Sequence, residues 1–300
     1  MTRSGLTDLH RHLDGSLRPE TVAELAVALG LSVPEDLAFS PNMGLAAALA
    51  RFRFTLSLLQ TPAAVARVAA EICEDAALDG VDGLEVRFAP QLHGGRLDEV
   101  VDAALDGISG RAGLILCVLY GEPPELADAL VELAVGRPGL VGLDLAGGPA
   151  PGHSHGISSY QEAFRRAGRL GLGRTVHAGE GRPAAEIRQA LHHLQAERIG
   201  HGTTLLDDPT VLEEVVRRKV TIEACITSNW HVGAIPDVVD HPLPRWLELG
   251  IKVCINTDNT LLSAVCASGE HRRAATLPGM DAARVERARV FGHEARFNRG

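Results

Sequence analysis

The sequence lacks the features of a membrane, secreted or nucleic-acid-binding protein. None of its apolar runs reaches the roughly 18 to 20 residues of a membrane-spanning helix. The first ten residues contain no apolar segment typical of a secretion signal, and the chain has only two lysines, Lys219 and Lys252. It has 29 basic and 38 acidic residues, a net charge of −9, and no basic block. We therefore expect a soluble, cytoplasmic protein that binds neither nucleic acid nor membrane.

Cysteine pairs with metal-binding or redox spacing are also missing. The five cysteines are scattered, and no two have the C-x-x-C spacing of a zinc knuckle or a redox centre. The sequence predicts that all of them are reduced and buried, as in a cytosolic protein. They are Cys73, Cys117, Cys225, Cys254 and Cys266.

Short β-like runs alternate with helical segments along the chain. Eight strands are predicted: Leu6–His12, Leu84–Phe88, Leu114–Leu119, Val141–Leu145, Arg174–His177, Arg198–Gly200, Val220–Cys225 and Lys252–Asn256. The segments with helical spacing include Pro62–Ala77, Ser159–Leu170, Pro183–Gln195 and Pro209–Arg218. This alternation predicts an α/β fold, a (β/α)8 TIM-type barrel, as a single domain over residues 1–300. An open, doubly wound sheet is the alternative.

Two of the predicted helices begin with a capping signal. Thr61 precedes Pro62, which is typical of the first position of a helix. Ser159 and Glu162 have the spacing of a capping box. Inside the second predicted strand, Glu85 and Arg87 lie on one face, and we expect them to belong to a layer of charges that fills the barrel interior.

Histidines and an acid lie at the ends of predicted strands. Of thirteen histidines, His10 and His12 close the first strand, His177 ends the fifth and His201 ends the sixth, while Asp258 follows the eighth. Residues i and i+2 of a strand face the same side, and the carboxyl ends of barrel strands converge on one pocket. Three imidazoles and a carboxylate at one point suit a divalent cation such as Zn²⁺. Taken singly, the His10–His12 pair would more often be a satisfied polar pair than a metal site.

Glu180 lies three residues beyond His177, on the loop after the fifth strand. From there it can reach the pocket without binding the metal, so we interpret it as a general acid or base; a carboxylate at a helix start is the alternative. A second H-x-H pair, His153 and His155, lies in the glycine- and proline-rich loop 147–156. Its side chains share no fixed face, so we do not expect a metal site there; a mobile loop over the pocket is one alternative.

Six motifs in order along the chain resemble those of the adenosine deaminases in the amidohydrolase superfamily. They are Thr7–Thr21, Gly83–Pro90, Gly142–Gly147, Thr175–Glu180, Arg198–Gly202 and Asn256–Asp258. The resemblance implies that one catalytic zinc per chain is bound by His10, His12, His177 and Asp258. It also implies that a segment corresponding to 52–59 forms an apolar cover over the pocket.

The resemblance further implies a role for each residue around the metal. Glu180 would protonate purine N1 as hydroxide attacks C6, and His201 would orient the attacking water beside Asp258. The backbone N–H of Gly147 would contact purine N3. His12 and Asp14 would face the substrate, Asp14 toward the sugar, and Asn259 would donate to purine N7.

The sequence departs from the family pattern in three places. The stretch before Phe52 is shorter than in typical members, which would open the sugar side of the pocket. Asn259 stands where most members have a second aspartate, and Gly148-Pro149 stands where an acidic pair is common. An amide donates a hydrogen bond without being protonated, so Asn259 can keep the N7 contact.

The resemblance implies zinc-dependent deamination of a 6-aminopurine nucleoside, with adenosine or 2′-deoxyadenosine and water as the small-molecule partners. The alternatives are the same chemistry on a modified adenosine such as aminodeoxyfutalosine, or on free adenine. A protein that binds purines without catalysis is a more distant alternative.

Overall fold

Eight parallel strands form one sheet in chain order, β1 to β8. The computed structural model describes residues 5–297. The strands are β1 (Leu6–His12), β2 (Val81–Phe88), β3 (Gly113–Leu119), β4 (Leu140–Ala146), β5 (Gly173–Ala178), β6 (Arg198–His201), β7 (Thr221–Ala224) and β8 (Lys252–Ile255). The sheet closes between β1 and β8 through two 2.8 Å backbone hydrogen bonds, from His12 N–H to Asp258 O and from Asp258 N–H to His10 O. The open-sheet alternative is therefore wrong.

Helices connect successive strands and surround the barrel. Before β3 they are α1 (Pro19–Leu29), α2 (Leu45–Leu58), α3 (Pro62–Leu78) and α4 (Leu97–Ile108). Between β3 and β7 the helices are α5 (Pro124–Glu132), α6 (Gln161–Arg169), α7 (Ala185–His193) and α8 (Pro209–Arg218). The last four are α9 (Ile226–His231), α10 (Leu243–Glu248), α11 (Ala267–Ala275) and α12 (Ala282–Ala295). Within residues 5–297, no helix combines the length and apolar content needed to cross a membrane.

Each of the eight predicted strands is present, and the barrel prediction is confirmed. The largest displacement of a strand start is in β2, which begins at Val81 and not at Leu84. Thr61 caps α3 as predicted, accepting a hydrogen bond from Ala64 N–H through its side chain. The single-domain assignment over 1–300 stays a prediction, and residues 1–4 and 298–300 lie outside the described residues.

Two local expectations are wrong. Ser159 does not cap a helix, because it lies inside a 3-10 turn, Ile157–Tyr160, and α6 begins only at Gln161. Glu162 instead pairs with arginines further along its own helix. Cys266 is exposed, because it occupies the N-cap position of α11 at the surface, whereas the other four cysteines are buried.

A layer of buried charges fills the barrel beneath the strand ends, as predicted for Glu85 and Arg87. The fully buried Arg87 donates to Asp144 Oδ2 at 2.8 Å and to Glu223 Oε2 at 3.0 Å. Arg198 makes ion pairs with Glu85 at 2.6 Å and with Glu223 at 2.7 Å. Since each pair is buried, removing one partner leaves an uncompensated charge inside the protein.

Arg87→Met should therefore destabilise the fold by about 3–5 kcal/mol, because Asp144 and Glu223 lose their shared cation. Chemical denaturation followed by circular dichroism measures the change. Arg245→Met is the matched control, since it breaks an exposed pair with Glu248 worth at most about 1 kcal/mol. Equal losses in the two variants would contradict a buried charge layer that supports the barrel.

Candidate active site

The predicted metal residues meet at the carboxyl-terminal end of the barrel. The Nε2 atoms of His10, His12 and His177 lie 3.1 to 3.3 Å from one another. Asp258 Oδ1 lies 3.5 Å from Nε2 of His10 and 3.4 Å from Nε2 of His12. Nitrogen and oxygen donors of the kind that bind a divalent cation thus lie close together at this point.

Backbone geometry at the strand ends makes this convergence possible. His201 and Asp258 have positive φ angles of 67° and 62°, which non-glycine residues adopt only when the surrounding structure enforces them. Gly200 leaves space for the His10 ring, because a Cβ at that position would lie 3.0 Å from His10 Cε1. Both features place side chains toward the axis of the barrel.

Buried carboxylates hold two of the imidazoles from behind. His10 Nδ1 lies 2.6 Å from Glu223 Oε2, and His177 Nδ1 lies 3.2 Å from Asp144 Oδ1. A carboxylate accepts the Nδ1 proton, and the Nε2 lone pair is then left facing the cluster, as in many metal sites. Glu223 and Asp144 were not predicted from the sequence, where the available signal was a single acid within an otherwise apolar strand.

The electrostatics favour neutral His12 and His177 beside an ionised carboxylate. Burial and the charge of Arg87 oppose protonation of His10, but its hydrogen bonds with Asp258 and Glu223 raise the pKa of that ring. Burial lowers the pKa of His177, and it lowers the pKa of His12 well below the ordinary value. Burial opposes ionisation of Asp258, but hydrogen bonding and charge from His10 hold the pKa of that carboxyl well below its usual range. Ser228 Oγ also donates to Asp258 Oδ2 at 2.5 Å, a contact that sequence analysis missed. Neutral imidazoles and a carboxylate are the protonation states that bind a divalent cation.

Glu180 is buried beside this cluster. It lies between Gly179 and Gly181, whose positive φ angles of 68° and 63° allow the chain to turn sharply on either side of it. Its Oε1 lies 3.6 Å from His201 Nε2, and its Oε2 lies 3.5 Å from Arg182 Nη1. Burial raises the pKa of Glu180 to about 7, although the charge of Arg182 opposes this change. A carboxyl group of this kind can donate a proton near neutral pH.

A cavity of about 350 Å³ opens above the cluster, within the range of small-molecule sites. The predicted apolar cover is part of α2, which contributes Phe52 and Leu56 together with Leu45, Ala48 and Leu49. The predicted substrate residues His12, Asp14, Gly147 and Asn259 all line the cavity. One wall of the cavity is therefore apolar, while its floor carries the polar and titratable groups.

Asp14 and Asn259 line this cavity, and each has a side-chain oxygen without a hydrogen-bond partner among residues 5–297. In both residues this atom is the buried Oδ1. Burial raises the pKa of Asp14 to about 7. Gly15 allows Asn259 to take its position, because a Cβ at Gly15 would lie 1.9 Å from Asn259 Oδ1. Buried, unpaired polar atoms of residues that line a cavity are suited to a polar ligand.

The remaining histidines lie outside the metal-donor cluster. His153 lines the cavity next to Gly121, and neither it nor His155 belongs to a cluster of metal-ligating groups within residues 5–297. His192 is exposed and pairs with Glu214 across to α8. His241 Nε2 lies 3.1 Å from Asn229 Oδ1, close to His201.

The barrel and its cluster define an enzyme of the metal-dependent amidohydrolase type. The family model for adenosine deaminase matches residues 5–298. The chain is 34% identical over 316 residues to an adenosine deaminase of Photorhabdus laumondii, an alignment that covers 97% of this chain and 93% of the relative. It is 36% identical over 288 residues to a probable adenosine deaminase of Dictyostelium discoideum, covering 89% of this chain but 37% of that longer protein.

Among solved structures, an adenine deaminase from Arthrobacter aurescens has a TM-score of 0.88 and 25% identity. The match covers 98% of this chain and 94% of that chain. The chain belongs to the adenosine deaminase family and is a hydrolytic deaminase. These comparisons confirm the family and the class of enzyme that the motifs predict, and the roles of individual residues stay predictions.

Replacing His10 or Asp258 by alanine should weaken metal binding by at least about tenfold, because each change removes one of four converging donors. Competition with a chromogenic chelator and elemental analysis of the purified protein measure the effect. His271→Ala is the control, since His271 is buried outside the cluster. Unchanged metal content in both site variants would contradict the donor set.

Proposed function

We propose that this chain deaminates a 6-aminopurine nucleoside, converting adenosine or 2′-deoxyadenosine and water into inosine or 2′-deoxyinosine and ammonia. The observation that carries the proposal is Glu180, a buried carboxyl group with a pKa raised to about 7 by burial, next to converging metal donors at the floor of the cavity. A proton donor beside a site for a metal matches the two requirements of hydrolytic deamination.

The donor set fits one zinc ion per chain, held by His10, His12, His177 and Asp258. Three imidazoles with one carboxylate suit a borderline cation, and the carboxylates behind His10 and His177 orient their Nε2 lone pairs. When bound, zinc would supply the Lewis acidity that lowers the pKa of water toward neutrality.

Glu180 acts as the general acid. Proton transfer from Glu180 to purine N1 withdraws electron density from C6, so that a water oxygen can bond to C6. The C6–N bond then breaks. The amino group takes the proton that the water gave up to Asp258 and leaves as ammonia, while the second proton of the water returns to Glu180 as the C6 carbonyl forms. Asp258 and His201 flank the attacking oxygen, where Asp258 can accept a proton and His201 can donate a hydrogen bond to the developing charge.

The rest of the cavity recognises the nucleoside. Gly147 offers a backbone N–H to purine N3, Asn259 donates to N7 through its amide, and Asp14 hydrogen-bonds the sugar next to His12. An amide needs no proton to donate, so Asn259 can replace an aspartate at this position. The apolar cover from α2 packs on the base and excludes water. We also propose that the enzyme acts in the cytoplasm.

Free adenine is a second candidate substrate. The Arthrobacter aurescens structure with a TM-score of 0.88 is named an adenine deaminase. Asp14 favours the nucleoside, because it lines the same cavity as Asn259 and its unpaired carboxylate oxygen can accept a hydrogen bond from a sugar hydroxyl.

Zinc-loaded protein should release ammonia from adenosine and 2′-deoxyadenosine faster than from adenine or 5′-substituted adenosines, including aminodeoxyfutalosine. A coupled ammonia assay and the absorbance of the adenine ring both follow the reaction. Glu180→Gln is the matched control, and it should keep zinc while losing at least about 10²-fold in kcat. Turnover of adenine without turnover of any nucleoside would contradict the proposal. Full activity of Glu180→Gln would remove Glu180 from the mechanism.

A further inference from the structure

We infer that Asn229 and His241 hold His201 in one tautomer, with its proton on Nε2, and so make it a hydrogen-bond donor toward the cavity. The role of His201 in the reaction rests on the proposed function. The tautomer itself does not, because it is a property of the resting protein.

A backbone group sets the direction of the hydrogen bonds behind His201. Leu243 N–H donates to His241 Nδ1 at 3.1 Å. A backbone N–H can only donate, so Nδ1 of His241 is an acceptor without a proton. Burial lowers the pKa of His241 to about 3, and the neutral ring therefore carries its single proton on Nε2.

Asn229 passes the same direction on to His201. His241 Nε2 donates to Asn229 Oδ1 at 3.1 Å, and Asn229 Nδ2 donates to His201 Nδ1 at 2.9 Å. Reversing the amide would place its NH₂ group against the Nε2 proton of His241, so the orientation of Asn229 follows from that of His241. All three side chains are buried, with at most 3% of any of them exposed, so bulk water does not replace these partners.

His201 consequently differs from the imidazoles next to it. Its Nδ1 accepts, so its proton lies on Nε2, which faces Glu180 Oε1 at 3.6 Å. His10 and His177 have carboxylates behind Nδ1 and thus have bare Nε2 atoms that face each other at 3.1 Å. Two imidazoles direct lone pairs inward, whereas His201 directs an N–H inward.

This difference decides what His201 can do. By distance alone, His10, His177 and His201 could share a metal ion. An Nε2 atom that carries a proton has no lone pair for a cation, and it cannot accept a proton from water either. His201 is therefore neither a metal ligand nor a general base, and it stabilises negative charge that develops on the attacking oxygen. Asn229 and His241 are positioning residues for it.

The tautomer is measurable by ¹⁵N NMR of protein labelled in its histidines, both before and after zinc loading. His201→Gln identifies the signals of His201. In the unsubstituted chain we expect a protonated Nε2 and an unprotonated Nδ1. A protonated Nδ1, or protons on both nitrogens, would overturn the inference without any activity measurement.

Variants of the two positioning residues test the consequence for catalysis. Asn229→Asp offers only acceptors to His201 Nδ1, so it should move the proton to Nδ1 and lower kcat by about 100-fold, the scale of one lost oxyanion donor. KM should stay within about twofold, because binding of the ground state is unchanged. His241→Gln can still donate to Asn229 and should retain most of kcat, whereas His241→Ala should not. His271→Ala is the control for loss of a buried histidine elsewhere.

The outcomes separate the inference from the proposed function. If Asn229→Asp fails to fold, the contrast between His241→Gln and His241→Ala remains as the test. A fall in kcat without a change of tautomer would overturn the inference that Asn229 and His241 position His201. Equal activity in both His241 variants would overturn it as well. A chain with the expected tautomer but no activity on any 6-aminopurine would refute the proposed function. The inference on the tautomer of His201 would still hold.

Discussion

The geometry of the site depends on the hydrogen bond and ion pairs of the Glu223 carboxylate. This carboxylate is held between Arg87 and Arg198 inside the barrel, and it accepts from His10 Nδ1 at 2.6 Å. The buried charges that support the strands therefore also orient a predicted metal ligand. Since buried ions are stable only when fully paired, the geometry of the cluster cannot relax without a cost to the fold. In this barrel, the same ion pairs and hydrogen bonds stabilise the fold and maintain the geometry of the site.

The group that contacts Nδ1 of each imidazole determines whether its Nε2 carries a lone pair or a proton. A carboxylate behind His10 or His177 leaves a lone pair facing the cluster, while an amide donor behind His201 leaves an N–H there. Chemically identical side chains thus become ligands or donors according to the residue on their far side. Glu180 completes the set as an acid whose pKa is raised to about 7 by burial.

The sequence predicted the strands and the groups at their ends, because alternating apolar runs and polar strand termini are local signals. It did not predict Asp144 or Glu223, which are single acids whose partners lie on other strands. The roles of Asn229 and His241 could not be predicted from the sequence either, because they depend on a contact between α9 and the chain before α10. Ser159 failed as a cap because the spacing of a capping box does not distinguish an α-helix from a 3-10 turn. The residues predicted to bind metal or transfer protons could be recognised from the sequence. The residues that orient them could not, because their roles depend on tertiary contacts.

Crystallography of the zinc-loaded protein with anomalous data at the zinc edge tests the central claim most directly. We predict one strong anomalous peak per chain, within bonding distance of Nε2 of His10, His12 and His177 and of a carboxylate oxygen of Asp258. His201 and Glu180 should lie outside the coordination sphere. A peak bonded to His201 or Cys225, or located at His153 and His155, would contradict the account.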